Sequence, residues 1–420
     1  MANVETNPHW ARASDSRVWQ CLLTGRREPG ACFSPDDAWL AFAHRHNTWE
    51  QVLVFDIGGL RLACTLEARG PVSGLAFASK DSLLVACSVQ GSTWVGLYAV
   101  PDGGLLAERT VSGVVGSCVT MSVSHTARQV LVSPWCWTRE TSQKGAFLST
   151  DDLAVVGGYL PPFGDAPGGV HAMVSLAPDG HAVAEAVGGS QGGGAELYLY
   201  DRGSGDRRKA PGYPDGAIQL LRWLGPRTVL ILRGLGSLWL EGPQTRAVVV
   251  DAVGCSVLFD SAKNFRSAPQ RRGGRGPDLQ AWEENDALGA YVSVDLHPER
   301  HRLVLLGSQR AGRLQVVDLA DGSVAPRSVA VESPSVALGV CWSGDALVTF
   351  TGSGTQGTLR ERPPRAAPRR IDRWAMVGRQ PRHGRITRSP QGRWWLLHWV
   401  DLDGPWMPLR VALREAAAEG

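Results

Sequence analysis

A short polar turn recurs eight times along this 420-residue chain, each time between two apolar runs typical of β-strands. The turns lie at residues 34–37, 79–81, 124–128, 178–180, 225–227, 297–300, 343–345 and 389–392. Six of the seven turn-to-turn spacings fall between 44 and 53 residues, counted between Ser34, Ala78, Ser124, Ala177, Leu224, His297, Ser343 and Ser389. A supersecondary unit that returns at a nearly fixed spacing indicates one small sheet stacked against copies of itself. This periodicity constrains the fold far more tightly than the activity.

Each unit reads as four short strands joined by hairpins, and the first, at residues 32–66, is the clearest. The eighth unit, which begins near Arg385, supplies only three strands before the chain ends. A strand-like run at residues 18–23 belongs to no unit. We therefore expect an all-β chain forming a β-propeller of four-stranded antiparallel blades, eight in number with seven as the alternative. The N-terminal strand would complete the last blade and close the propeller.

One turn-to-turn spacing, of 73 residues between the fifth and sixth turns, departs from the others. A loop insertion around residues 252–289 explains it, because the stretch 267–276 is too rich in Gly, Pro and Arg to form strands. A degenerate extra blade containing residues 254–259 is the alternative. The expected organisation is an N-terminal extension (1–17), one propeller domain (18–413) and a C-terminal tail (414–420).

Two stretches carry a family resemblance. FSPDDAWLAF followed by VLVFD, and APDGHAVAEAV followed by ELYLYD, resemble the turn and strand pattern of the WD-repeat and TolB-type β-propeller superfamily. The resemblance extends over residues 18–413 and implies a propeller fold without specifying an activity. The Trp-Asp dipeptide of WD repeats is absent from the expected strand ends, where Phe55-Asp56, Tyr200-Asp201 and Val317-Asp318 stand instead.

Composition indicates a soluble protein. No apolar run approaches the roughly 18 residues that span a bilayer, and residues 1–17 lack the apolar core of a signal peptide. We therefore expect a cytoplasmic protein without membrane attachment. The eight cysteines form no CxxC pair and mostly lie in apolar strand patterns, which favours small buried hydrophobes over a disulfide or metal framework. The excess of arginine over lysine reflects a genome composition of bacterial type.

Loop lengths predict which face of the propeller binds a partner. The turns within the repeating units are uniformly short, whereas the second-to-third-strand loops and blade-to-blade connections include long irregular segments. These long segments lie at residues 134–145, 161–169, 252–289 and 377–384. Long irregular segments in a compact domain are typically binding loops, so their common face is the expected interaction surface.

A stripe at residues 359–393 holds eleven arginines against two carboxylates, on a chain whose net charge is only +3. Such a stripe attracts anionic partners such as acidic protein surfaces. Solvated arginines that protect the outer edge of the seventh unit are the alternative. The residues that we expect to contact a partner are Arg379, Arg382, Arg385, Arg271, Arg272, Arg275, Trp135, Trp137 and Trp49.

Catalytic motifs are missing from the sequence: it has no GxSxG elbow, no HExxH and no phosphate-binding GxxxxGK[ST] loop. No catalytic residue, metal ligand or cofactor is predicted. We expect a non-catalytic scaffold that binds a protein partner with an acidic surface. The alternatives are a hydrolase or lyase with its site at the mouth of the central channel, and an anion-binding platform. Nucleic acid is disfavoured because aromatic residues do not interleave with the arginines, and the oligomeric state stays open.

Overall fold

The computed structural model describes residues 10–14, 16–23, 31–46, 49–89, 92–111, 119–134, 136–137, 145–160, 170–189, 196–210, 217–234, 244–260, 291–297, 302–307, 313–318, 324–328, 336–376, 381–401 and 409–416. All regular structure in these ranges is β, and none of it forms a helix that could cross a membrane. The chain divides into two compact units. Unit 1 comprises Met1–Arg26, Gly242–Val248 and Leu258–Gly420, and unit 2 comprises Arg27–Glu241 and Val249–Val257.

The strands of the first half are β1 (Ala11–Arg12), β2 (Val18–Leu23), β3 (Ala31–Phe33), β4 (Trp39–His46), β5 (Trp49–Asp56), β6 (Arg61–Glu67), β7 (Val72–Ser79), β8 (Ser82–Val89), β9 (Ser92–Ala99), β10 (Leu105–Val111), β11 (Val119–Ser124), β12 (Gln129–Pro134), β13 (Cys136–Trp137), β14 (Gly145–Ser149), β15 (Val155–Tyr159), β16 (Val170–Leu176), β17 (Ala182–Gly189), β18 (Glu196–Asp201) and β19 (Arg207–Lys209). The remaining strands are β20 (Ala217–Trp223), β21 (Thr228–Gly234), β22 (Gln244–Asp251), β23 (Ser256–Asp260), β24 (Tyr291–Leu296), β25 (Arg302–Gly307), β26 (Arg313–Asp318), β27 (Val324–Ser328), β28 (Val336–Ser343), β29 (Ala346–Ser353), β30 (Gln356–Arg362), β31 (Arg369–Ala375), β32 (Pro381–Arg388), β33 (Trp394–Asp401) and β34 (Leu409–Glu415).

These strands form the eight four-stranded antiparallel blades of a β-propeller, so the predicted fold class and blade number are confirmed. In unit 2, blades one to four have the strand orders β3-β4-β5-β6, β7-β8-β9-β10, β11-β12-β14-β15 and β16-β17-β18-β19, and the hairpin β20–β21 follows. In unit 1, blades six and seven have the orders β24-β25-β26-β27 and β28-β29-β30-β31. The boundary between the units falls within β22 and β23, the third and fourth strands of blade five.

The eighth blade is assembled from both ends of the chain, as predicted. Strand β2 pairs antiparallel with β34 from Val18 opposite Arg414 to Leu23 opposite Leu409, and β33 and β32 complete the blade. Strand β1 then adds a short fifth strand to the sheet. Strand β34 continues to Glu415, so it includes the first two residues of the predicted tail.

The recurring turns owe their shape to side-chain hydrogen bonds. In blade one the Ser34 hydroxyl accepts from the backbone N–H of Trp39 at 2.9 Å, and in blade eight the Ser389 hydroxyl accepts from the N–H of Trp394 at 3.0 Å. Gly392 in the latter turn has a φ of 73°, a left-handed conformation that glycine adopts without strain. A serine at the start of the turn therefore satisfies an N–H that the ladder leaves unpaired.

Two local assignments differ from the sequence-based expectation. Residues 256–260 form β23, which pairs with β22 as an ordinary outer strand, and they belong neither to a loop insertion nor to an extra blade. Cys136 and Trp137, expected in a long loop, form the two-residue strand β13 against Val170 and His171 of blade four. In both cases the segment forms a strand because it pairs with a neighbouring strand, although its own sequence pattern is weak. Periodicity alone cannot reveal such pairing. Residues 261–290, which hold the rest of the expected insertion, lie outside the described ranges.

Candidate functional site

The outer strand of blade seven carries three arginines and one aspartate. Strand β31 has the sequence RRIDRWA and pairs with β30, the third strand of the blade. A β-bulge in this pairing leaves Ile371 as an extra residue, because Asp372 stands opposite Leu359 and Arg370 opposite Arg360. Bulges protect edge strands and redirect side chains, so this edge presents its arginines to solvent rather than to another strand.

An open groove of about 650 Å³ runs along this edge. It is lined by Ser14, from the turn between β1 and β2, by Gln356, and by the strand residues 370–375. We call it the basic groove. All of these residues belong to unit 1, so the groove is formed within one compact body.

Three arginines of this region keep their charge available. Arg370 lines the basic groove, the backbone N–H of Arg17 bonds to the groove residue Asp372, and Arg365 lies in the hairpin between β30 and β31. Arg17, Arg365 and Arg370 are exposed, and no carboxylate among the described residues lies within 4.0 Å of their side chains. Arg370 stands directly across the strand pair from Arg360. The exposed guanidinium groups of Arg17, Arg365 and Arg370 therefore attract an anion.

The other charged side chains of the edge are already engaged. Arg369 forms an ion pair with Glu361, and Arg373 donates through Nε to Oε1 of Gln356 at 2.9 Å. Asp372 accepts from the backbone N–H of Arg17 at 3.3 Å and from Nε of Arg414 at 3.2 Å. Its carboxylate therefore does little to neutralise the exposed arginines.

Trp374 forms a rigid base beneath this edge. Its ring stacks on Phe350 with centroids 5.7 Å apart and an interplanar angle of 17°, and it lies over Gly357, where a side chain would collide with it. The indole is 2% exposed, and its N–H has no acceptor in the described part of the chain. The strand backbone that carries the arginines is thereby held in place by a packed aromatic core that also includes Trp399.

Of the residues predicted to contact a partner, only Arg385 has a described side chain. It is half-buried on β32 of blade eight, away from the outer strand that forms the groove. Arg382 also lies on β32, Trp49 begins β5, and Trp137 lies in β13. Five further predicted residues lie outside the described ranges, namely Arg379, Arg271, Arg272, Arg275 and Trp135. Their role as a common binding surface stays a prediction.

The groove residues themselves were only partly visible from sequence. Arg365, Arg370 and Arg373 belong to the predicted stripe, but nothing in the sequence separated them from the other arginines. Ser14 and Gln356 were missed. The position of RRIDRWA as the fourth strand of its unit could have distinguished these arginines, because the fourth strand of a blade is expected to lie at an exposed edge.

Among the described residues, no three His, Cys, Asp or Glu side chains gather as metal ligands do. The most buried carboxylate, Glu185 in unit 2, accepts two bonds from Arg207, at 2.6 and 2.9 Å, and one from Tyr159 at 2.7 Å. Burial raises the pKa of Glu185, while these three bonds oppose the rise. This network ties β15 to β17 and β19.

Comparisons with known proteins give evidence on the fold. No protein-family model matches the chain, and no curated protein sequence matches it. Among solved structures, the chain is similar to the Dos1 propeller, with a TM-score of 0.59 and 10% identity over 91% of this chain and 92% of that one. It is also similar to Saccharomyces cerevisiae Sqt1, with a TM-score of 0.55 and 10% identity over 92% and 95%. Such low identities show the fold alone, which is that of a β-propeller.

Proposed function

We infer that this protein is a non-catalytic interaction scaffold that binds an acidic segment of a partner protein in the basic groove. The observation that carries the proposal is the set of exposed arginines, Arg17, Arg365 and Arg370, for which the described chain supplies no carboxylate within ion-pair distance. Propellers of the WD40 type commonly serve as protein-interaction scaffolds, which agrees with this reading.

Electrostatic complementarity identifies the partner's chemistry. An acidic side chain bound near Arg370 would form charge-assisted hydrogen bonds with its exposed guanidinium group. Ser14 and Gln356 add polar groups that can bond to a peptide backbone. The groove is open to solvent, as binding of an extended segment requires.

A protein segment fits the groove better than nucleic acid does. Single-stranded nucleic acid is held by bases stacked on exposed aromatic rings. The one aromatic residue lining the groove, Trp374, is buried under the strand and offers no ring face to a base. The proposed site also offers only three available arginines, whereas a duplex requires cations along a longer track.

Affinity purification with matched charge reversals tests the proposal. The full chain would be compared with the double variant Arg365→Glu/Arg370→Glu and with the control Arg61→Glu/Arg222→Glu, which makes the same charge change at exposed sites of unit 2. We expect proteins with acidic segments to be captured by the wild type and the control but lost from the groove variant. Capture of the same proteins by all three forms would contradict the proposed site.

A further inference from the structure

A short acidic stretch follows the last strand of blade eight. Residues 417–420, with the sequence AAEG, come directly after Ala416, the last residue of this blade that the structure describes. We call them the acidic tail, since Glu419 is their only charged residue. A carboxylate of the chain itself has the same chemistry as the partner segment proposed above, so its distance from the basic groove decides whether it can bind there.

The acidic tail leaves the fold beside the basic groove. Arg414, two residues before Ala416, donates through Nε to Asp372, which lines the groove, at 3.2 Å. The backbone N–H of Arg17 bonds to the same carboxylate at 3.3 Å. Ala416 itself packs against the core cluster that contains Trp374, another groove residue. The chain therefore enters the tail within a few residues of the groove.

A backbone hydrogen bond repeated in other blades defines the position of Ala416. In blades one to five, the residue after the third strand donates its N–H to the last residue of the hairpin between the first and second strands, and the chain then turns into the fourth strand. These bonds run from Ile57 to Ala38, Val100 to Asp81, Thr150 to Arg128, Arg202 to His181, and Ala252 to Arg227. In blade eight, Ala416 makes the same bond to the carbonyl of Arg393 at 2.6 Å. Because β2 already supplies the fourth strand here, this blade has no strand left for the tail to form.

The outer strand of the preceding blade contacts this position in other blades too. Arg109 of β10 donates through Nε to the carbonyl of Leu153 at 3.2 Å, and Leu153 lies in the hairpin between the third and fourth strands of blade three. Arg208 of β19 donates through Nη1 to the carbonyl of Val253, in the corresponding hairpin of blade five, at 2.9 Å. In blade eight the acidic tail starts at the place of this hairpin. The outer strand that faces it is β31, which lines the basic groove.

The acidic tail is long enough to reach the exposed arginines. An extended chain advances about 3.3–3.6 Å per residue, so Glu419 can lie about 10 Å from Ala416. Arg17 and Arg370 are exposed, and no carboxylate among the described residues lies within 4.0 Å of their side chains. A single exposed ion pair is weak. A short tether compensates for this, because it gives the tethered group an effective concentration in the mM range.

We propose that the acidic tail binds in the basic groove, with Glu419 paired to the guanidinium groups of Arg17 and Arg370, and that it competes there with the acidic segment of a partner. The inference rests on the proposed function, because tail and partner would bind the same arginines. The tail offers one carboxylate, so a segment with several carboxylates displaces it while a weakly acidic segment does not. The tail thereby restricts the groove to strongly acidic partners.

Cross-linking of the full chain detects the tail in the groove without any partner. Arg370→Lys keeps the positive charge and supplies an amine, which a water-soluble carbodiimide joins to a nearby carboxylate as an amide. The water lost in this condensation converts the carbodiimide to a urea. We expect mass spectrometry of the digested protein to find an amide between Glu419 and the introduced lysine, reduced by excess oligoglutamate peptide or by about 1 M salt. Arg222→Lys, at an exposed site of unit 2, is the control and should give no amide with Glu419.

Peptide affinity measures the competition. In an anisotropy titration with a fluorescent oligoglutamate peptide, Glu419→Gln should bind about two- to fivefold more tightly than the wild type, because the competing ion pair is lost. The matched control is Glu67→Gln, which makes the same charge change at an exposed site on β6. It should bind like the wild type.

The two experiments separate the tail from the proposed function. An amide at Glu419 together with tighter peptide binding by Glu419→Gln supports the proposal. Absence of the amide, with peptide binding unchanged in Glu419→Gln, overturns the tail contact and leaves the basic groove as a partner site. A cross-link that joins two copies instead of closing within one chain also overturns it. If no form binds the peptide, the proposed function fails, and the cross-link alone decides whether the tail occupies the groove.

Discussion

Arg414 on the last strand of the chain donates through Nε to Oδ2 of Asp372 on the outer strand of blade seven, at 3.2 Å. Both side chains are less than a tenth exposed, at 7% and 9%. Burial lowers the pKa of Arg414, while Asp372 opposes that effect. This pair joins the strand that closes blade eight to the strand that carries the basic groove.

Replacing Asp372 by Asn should destabilise the protein strongly, because it leaves the buried Arg414 charge without its partner. We expect a loss of about 3–5 kcal/mol in the free energy of unfolding, measured by urea unfolding with tryptophan fluorescence. The exposed pair of Arg61 and Asp56 is the control, since Arg61→Ala should cost about 1 kcal/mol or less. Equal losses in the free energy of unfolding for the two substitutions would show that the buried pair stabilises the protein no more than the exposed pair does.

Gly357→Ala should destabilise blade seven, because a Cβ at this position would lie 2.5 Å from Cζ2 of Trp374. The stacked rings cannot move without disturbing Phe350, so we expect a cost of about 1–3 kcal/mol. Gly158→Ala is the matched control, with no atom within 4 Å of the added Cβ, and should change stability by about 0.5 kcal/mol or less. Urea unfolding measures both, and a neutral Gly357→Ala would contradict the packing.

The turn after β5 should contribute a pH-dependent stability. The N–H of Gly59 bonds to Oδ1 of Asp56 at 3.0 Å, and together with Arg61 it lowers the pKa of Asp56 below the ordinary value of 3.8. A lowered carboxyl pKa stabilises the fold above the unfolded-state pKa, and this contribution is lost as pH falls through the lowered value.

The difference in unfolding free energy between the wild type and Asp56→Ala should therefore be constant from pH 7 to about pH 5 and shrink below pH 4. Chemical unfolding at a series of pH values measures it. A difference that grows on acidification would have the wrong sign and would contradict the hydrogen bond from Gly59 as its cause.

Buried thiols should resist alkylation in the folded protein. Burial raises the pKa of Cys87 to about 11, and burial also raises that of Cys341 well above the usual range. Since the thiolate is the reactive form, iodoacetamide at pH 8 should leave both unlabelled until urea is added. Peptide mapping by mass spectrometry reads each site separately. Rapid labelling of Cys87 in the native state would show that blade two opens.

Much of the fold was predictable because its signals are local. The serine-initiated turns and the apolar strands between them recur along the chain, and the unpaired strand at Val18–Leu23 matched the strand missing from blade eight. The predictions failed where pairing depends on a neighbour. The sequence left Ser256–Asp260 open between a loop insertion and an extra blade, and only its pairing with β22 identifies it as the outer strand of blade five.

The candidate site was predictable only as a charged region. Sequence shows the arginine stripe, but cross-strand register decides that Arg369 meets Glu361 while Arg370 meets Arg360. Ser14 lies more than 340 residues from the rest of the groove and reaches it only because the N-terminal strand completes blade eight. The fold therefore decides which side chain each of the eleven arginines faces.

Binding of a labelled acidic peptide tests the central proposal most directly. A fluorescent oligoglutamate peptide titrated with the full chain at low salt should bind by anisotropy, and its affinity should fall as salt screens the charges. Arg365→Glu/Arg370→Glu should weaken binding about tenfold or more, since charge-assisted bonds are lost and repulsion is added. The control Arg61→Glu/Arg222→Glu should bind like the wild type. Equal affinity for both variants, or no binding by the wild type, would contradict the basic groove as an acidic-segment site.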